Sequence, residues 1–196
     1  MRTPRAIPVI LILLGLISLT HIPGCGDPQQ VRLQRLAAAA KANRATAGPM
    51  IAAAYAKDGD TIDLLMAMAA DQMEKGQDAT ALAGAVLDAT QLLGKQLPQG
   101  EEFLLFWTRI GRLAFQSALF AYQKGDIEGA RDLVLAGAPR WQTEQYWLRY
   151  TDHDALASII LYQTGQQQEA VMRLRSRPVL TGDAEETLKK LTGGSE

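Results

Sequence analysis

Of the chain's two histidines, His153 stands between Asp152 and Asp154, a grouping that invites a metal ion or a general base. Consecutive helical residues point about 100° apart, so three in a row cannot converge on one ion. The cluster reads instead as capping at a helix N-terminus. Asp58, Asp60 and Asp63 resemble part of a calcium loop, but the twelfth position is Ala69 and the glycine spacing is wrong. They read as turn and cap residues. Glu101-Glu102 and Glu185-Glu186 fall where first helical turns are expected, and the helix dipole favours acids there. There is no Gly-x-Ser-x-Gly elbow and no phosphate-cradling glycine loop. The sequence therefore assigns no catalytic residue, no metal ligand and no cofactor, and hydrolase chemistry is the least favoured reading.

The segment 140–150 is richer. Trp141, Tyr146, Trp147 and Tyr150 are four of the chain's twelve aromatics, and Arg140 and Arg149 flank them. Trp, Tyr and Arg dominate interface hot spots, so the segment is a candidate binding patch. Trp147 and Tyr150 share one helical face with Leu148 nearby, which equally suits core packing, and both readings stay open.

The only cysteine, Cys25, closes a hydrophobic leader. Arg2 and Arg5 precede a stretch from Ile7 to Leu19 in which ten of thirteen residues are Ile, Leu or Val. A bilayer span needs about 20 apolar residues. This stretch has the size of a signal-peptide core, with its positive charge on the cytoplasmic side. Pro23 and Gly24 break the helix ahead of Cys25. Ile22-Pro23-Gly24-Cys25 resembles the lipobox of bacterial lipoproteins, with Pro23 departing from the usual small or β-branched residue. The resemblance implies a signal peptide over 1–24, several acyl chains such as palmitate on Cys25, and a bilayer as partner. Signal cleavage after Gly26 and an uncleaved anchor are the alternatives. Gly26, where aspartate would favour the inner membrane in some bacteria, leans toward the outer membrane facing the periplasm.

Without the leader's two arginines, residues 25–196 hold 18 basic and 21 acidic side chains, a net charge of −3. That field is the wrong sign for nucleic acid. Thirty alanines, eleven of them within 37–56, and the lack of β-branched alternation predict an all-α fold. Glycine and proline place the breaks. The expected helices run from Pro28 to about Ala47, ended by Gly48-Pro49, then to Lys57, from Asp60 or Thr61 to Lys75, from Asp78 to Gly94, and from Glu101 to Lys124. Others run to Gly137, from Thr143 to Tyr150, from Asp152 to Thr164, to about Arg177, and from an Asp183/Glu186 capping box onward.

A helix–Gly–helix unit recurs. Residues 122–130, YQKGDIEGA, align with 162–170, YQTGQQQEA, and more weakly with 73–81, MEKGQDATA. The unit resembles the tetratricopeptide repeat, although the glycines lie 49 and 40 residues apart instead of about 34. The resemblance implies antiparallel hairpins stacked as a short solenoid over 61–177. Residues 25–60 would then form a lipidated, Ala-rich lead-in and 178–196 a capping helix with a frayed tail. An irregular helical bundle is the alternative. By carry-over, the first helix of each pair would line a concave face with Arg112, Tyr122, Asp152 and Tyr162, while Phe115, Leu119 and Ile159 look like packing residues. The expected function is a non-catalytic envelope scaffold binding a protein or peptide. The alternative is a small-molecule or lipid carrier with a cavity lined by Phe103, Phe106 and Trp107.

Overall fold

A computed structural model describes residues 27–97, 101–137, 151–176 and 182–193. Among these, nine α-helices and one short 3-10 turn form an all-α fold. The helices are α1 (Pro28–Ala42), α2 (Arg44–Tyr55), α3 (Thr61–Glu74), α4 (Thr80–Leu93), α5 (Glu101–Gln123), α6 (Ile127–Gly137), α7 (Thr151–Gln163), α8 (Gln167–Arg175) and α9 (Asp183–Leu191).

The first helix starts as its sequence dictates. The Asp27 carboxylate accepts the Gln29 backbone N–H at 3.0 Å, and Pro28 takes the first helical position, where its missing N–H costs nothing. Its end differs from expectation. The break falls at Asn43, which is extended (φ −160°) and whose side chain accepts the N–H groups of Ala45 and Thr46. Gly48 and Pro49 lie inside α2. The Asn cap satisfies two orphan donors at once; Pro49 removes the bond to Ala45 and crowds its carbonyl, and the packing of Ala47, Gly48 and Ile51, all buried, holds α2 helical through it.

Gly48 also lets α2 approach α4 closely, since a Cβ there would sit 3.1 Å from the Asp88 Cβ. Beside it, the Arg44 guanidinium makes a two-pronged bridge to Asp88, with both bonds at 2.8 Å. That guanidinium lies across Gly84, where an added Cβ would come within 2.4 Å of its Nε. Glycine at position 84 is the berth for the arginine. Helix α4 is buried on nearly every side, including Leu82, Val86, Leu87, Ala89 and Leu93, as an all-round apolar helix must be. It packs against α1, α2, α3, α5 and α6.

The three glycine turns share one geometry. Gly76, Gly125 and Gly165 have φ of +71°, +82° and +85°, a region open to glycine at little cost. In each, the glycine N–H donates to the carbonyl three residues back, and the next N–H donates to the carbonyl five back, as in Asp126 to Ala121 and Gln166 to Leu161. These are Schellman caps. Ala130 and Ala170, five positions on, are fully buried where α6 returns along α5 and α8 along α7. The 73–81 copy departs: α4 begins four residues after Gly76, and Ala79 is buried while Ala81 is only half-buried.

Alternate helices lie beside one another. Among the odd-numbered helices, α1 touches α3, α3 touches α5, α5 touches α7, and α7 touches α9; among the even ones, α2 touches α4 and α4 touches α6. One core runs from Leu33 in α1 to Ile160 in α7. A small second cluster of Ala155, Leu174 and Ala184, with Leu188 and Leu191 against it, seats α9. Asp183 is the first residue of α9 and makes no capping bond; Gly182 (φ +54°) occupies the cap position instead. Among the described residues, no helix is long and apolar enough to cross a membrane.

Candidate functional site

Helix α5 decides what the odd-numbered helices display. Trp107, Ile110, Ala114, Ser117 and Ala121 form its core stripe, all buried, as their spacing of three and four predicts. Arg112 and Leu119 project about half a turn away from that stripe. Arg112 is exposed, and Phe115 and Leu119 are half-buried.

Among the described residues, two clefts open along this side of α5. The first lies against α3 and has a volume of about 280 Å³, lined by Asp63, Met66, Ala67, Ala70, Arg109, Arg112, Leu113 and Gln116. Arg109 Nη1 donates to Asp63 Oδ1 at 2.9 Å across it. Its floor is aliphatic, and its rim carries two guanidinium groups to one carboxylate. The second lies against α7 and α9 and measures about 350 Å³. Phe115, Leu119, Leu156 and Ile159 supply an apolar floor, and Asp183, Glu186 and Lys190 stand at its edge. Phe115, Leu119 and Ile159, expected as packing residues, are thus left only partly covered.

The sequence-predicted residues divide. Arg112 lines the first cleft. Tyr122 is half-buried against the core, and its hydroxyl accepts the Gln163 side-chain N–H from α7 at 3.2 Å. Tyr162 is half-buried on α7, and neither tyrosine lines either of these two clefts. The backbone of Asp152 lies in the first turn of α7, but its side chain and that of His153 fall outside the described residues, as do Cys25, Trp141, Tyr146, Trp147 and Tyr150 altogether. Phe106 and Trp107 are buried and stack edge-on at 5.2 Å between ring centroids. Both belong to the core and line neither cleft.

The acids with apparent chemical potential are engaged in holding helices together. Arg32 pairs with Asp58, Gln29 donates to Asp60, and Arg109 bridges to Asp63. The hydrogen bond from Arg32 pulls the Asp58 carboxyl below its ordinary value, while the neighbouring Asp58 pushes Asp60 up. Asp154, expected in a capping cluster, is buried and accepts from Arg173 Nε on α8 at 3.2 Å. Among the described residues, no group of three or more His, Cys, Asp or Glu side chains could hold a metal ion.

Sequence reasoning singled out Arg112, read Asp63, Asp183 and Glu186 as turn or cap residues, and passed over Arg109, Gln116 and Lys190. A signal existed in α5: Arg109, Arg112 and Gln116 recur at three and four on the side away from the core stripe. Among the described residues, the fold is all-α with two clefts beside α5. Comparison with protein-family models, with curated proteins and with solved structures finds no match in any of the three.

Proposed function

We propose that this chain is a lipid-anchored envelope protein, held by acylated Cys25 and acting as a non-catalytic scaffold that binds a protein or peptide. The observation that carries the binding half is the open side of α5. Phe115, Leu119 and, from α7, Ile159 stay partly exposed there, as the floor of a cleft with charged groups at its edge. Apolar side chains in a groove rimmed by polar groups mark a binding surface. A tetratricopeptide-like arrangement is favoured by the three matching Schellman turns and by the side-by-side packing of alternate helices. In such an array the odd-numbered helices would form the recognition face. The anchoring half rests on the leader and lipobox-like residues 22–25, with the outer membrane favoured by Gly26.

Two experiments test the reading. Cys25→Ala should release the protein from membranes and abolish acyl labelling; unchanged retention defeats the anchor. Chemical crosslinking in the intact envelope, followed by mass spectrometry, should recover a discrete protein partner. Recovery of none defeats the scaffold and shifts weight to a carrier of small molecules or lipids.

A further inference from the structure

Large apolar side chains that stay exposed are few and unevenly spread. Among the described residues they are Met50, Leu92, Leu105, Leu135 and Met172. Three of them gather at one end of the array. Leu92 is the next-to-last residue of α4, Leu135 stands two residues before the end of α6, and Leu105 is the fifth residue of α5. They are 60%, 37% and 66% exposed. Contacts between helices bring them to a common level. The Gln91 side-chain N–H donates to the Ala136 carbonyl at 3.3 Å, which joins the ends of α4 and α6. Arg109 reaches Asp63, the third residue of α3, so Leu105, one turn earlier in α5, stands close to where α3 begins. Helix α4 ends there too, because it returns along α3 after the Gly76 turn.

That end is also where the chain leaves its leader. Gln29, in the first turn of α1, donates to Asp60 just ahead of α3, and Arg32 pairs with Asp58. Cys25 precedes the Asp27 cap by two residues, a reach of about 7 Å. The opposite end is polar: the turns at 75–78, 123–126 and 163–166 contain only Lys, Gln, Asp, Thr and Gly. The array is therefore amphipathic along its helix axes, with its apolar end beside the anchor.

Resting on the reading of Cys25 as an acylated anchor, we infer that this end of the array is a lipid-contacting surface. Leu92, Leu105 and Leu135 enter the headgroup layer, which is about 5–7 Å deep, and the helices stand upright on the bilayer. A chain tied two residues from its first helix holds this end against the headgroups, and exposed leucines there bury apolar area by entering them. Three leucine side chains carry fewer apolar carbons than one myristoyl chain, whose own hold on a membrane is marginal. They set the orientation of the domain while the acyl chains hold it in place, so Cys25→Ala still releases the protein. An upright array keeps the sides of α5 and α7, with the cleft over Phe115, Leu119 and Ile159, clear of lipid.

The test uses the full acylated chain in vesicles of phosphatidylethanolamine and phosphatidylglycerol. An environment-sensitive fluorophore is attached in Leu92→Cys, Leu105→Cys or Leu135→Cys, and in the controls Gln77→Cys and Gln123→Cys from the polar end. The expected result is blue-shifted emission from the three leucine positions, quenched by lipids spin-labelled near the headgroup, and water-like, unquenched emission from the two controls. Leu105→Glu with Leu135→Glu should abolish the quenching at position 92 while the protein still floats with the vesicles. Protein that floats but reads water at all three leucine positions would overturn the lipid surface and leave the anchor intact. Shielding of those positions in native envelope membranes, but not in the vesicles, would overturn it in favour of a protein partner. Failure to float would overturn the anchor, and this surface with it.

Discussion

The Asp154–Arg173 pair gives the sharpest quantitative expectation. Asp154 lies in the first turn and a half of α7, and Arg173 in the last turn of α8, joined at 3.2 Å with side chains only 5% and 14% exposed. Each charge also faces the helix end that suits it. Removing one partner takes this bridge from the other while it stays buried, and breaking a buried pair in this way costs about 3–5 kcal/mol. Arg173 keeps a little contact with water and can straighten toward it, so the low end, about 3 kcal/mol, applies to Asp154→Ala. Asp154→Asn separates two explanations of the residue. As a helix cap, Asn replaces Asp at almost no loss; as a buried ion-pair partner, it loses the charge and costs nearly as much as Ala. Asp154→Leu with Arg173→Met should recover most of the loss, since a well-packed apolar pair can replace a buried ionic one. The assay is amide hydrogen exchange by mass spectrometry with urea unfolding. Protection across α7–α9, whose small core includes Ala155 and Leu174, should fall about 100-fold in Asp154→Ala, the equivalent of about 3 kcal/mol. A loss below about 1 kcal/mol for Ala, or a harmless Asn, would refute the reasoning.

Two further expectations concern other contacts. Gly84→Ala should be close to neutral in the native background, because a helix-propensity gain of about 1 kcal/mol is offset by displacing Arg44 from Asp88; in an Arg44→Ala background the same change should stabilise by about 1 kcal/mol, read by urea unfolding, and equal effects in both backgrounds would contradict the berth. The Thr80 hydroxyl and backbone N–H hold the Asp78 carboxyl below its ordinary value, so its stabilisation is present above the unfolded-state pKa and is lost as pH falls through the lower folded value. Asp78→Ala should therefore cost about 1 kcal/mol at pH 7, and its gap from the native protein in urea unfolding should close as acidification passes below the ordinary carboxylate range.

Local features were legible in the sequence because their causes are local. Asp27-Pro28 starts a helix with its own side chain and ring, and Gly125 and Gly165 end helices through backbone freedom within the turn. The α1–α2 break was misplaced at Gly48-Pro49 because Asn43 offers two capping bonds that a composition-led reading undervalues. What required the fold was every pairing across helices. Asp154 looks like a cap until α8 returns and brings Arg173, nineteen positions on, against it. Gly84 looks like an ordinary helix weakness until Arg44 of α2 is laid across it. Arg109 and Arg112 could be placed on the outward side of α5 from spacing alone. That Asp63 faces them, and that α9 lends carboxylates to the next groove, depends on which helices lie side by side.

The central claim, a partner seated on the open side of α5 and α7, is tested most directly by site-specific photocrosslinking in living cells. A photoreactive amino acid would replace Leu119 in the groove and, separately, the exposed Met172 on α8. The account predicts a discrete adduct of one protein with the membrane-anchored chain from position 119, abolished by Ile159→Lys and not formed from position 172. Equal adducts from both positions, or none from 119 with the protein intact in the membrane, would contradict it.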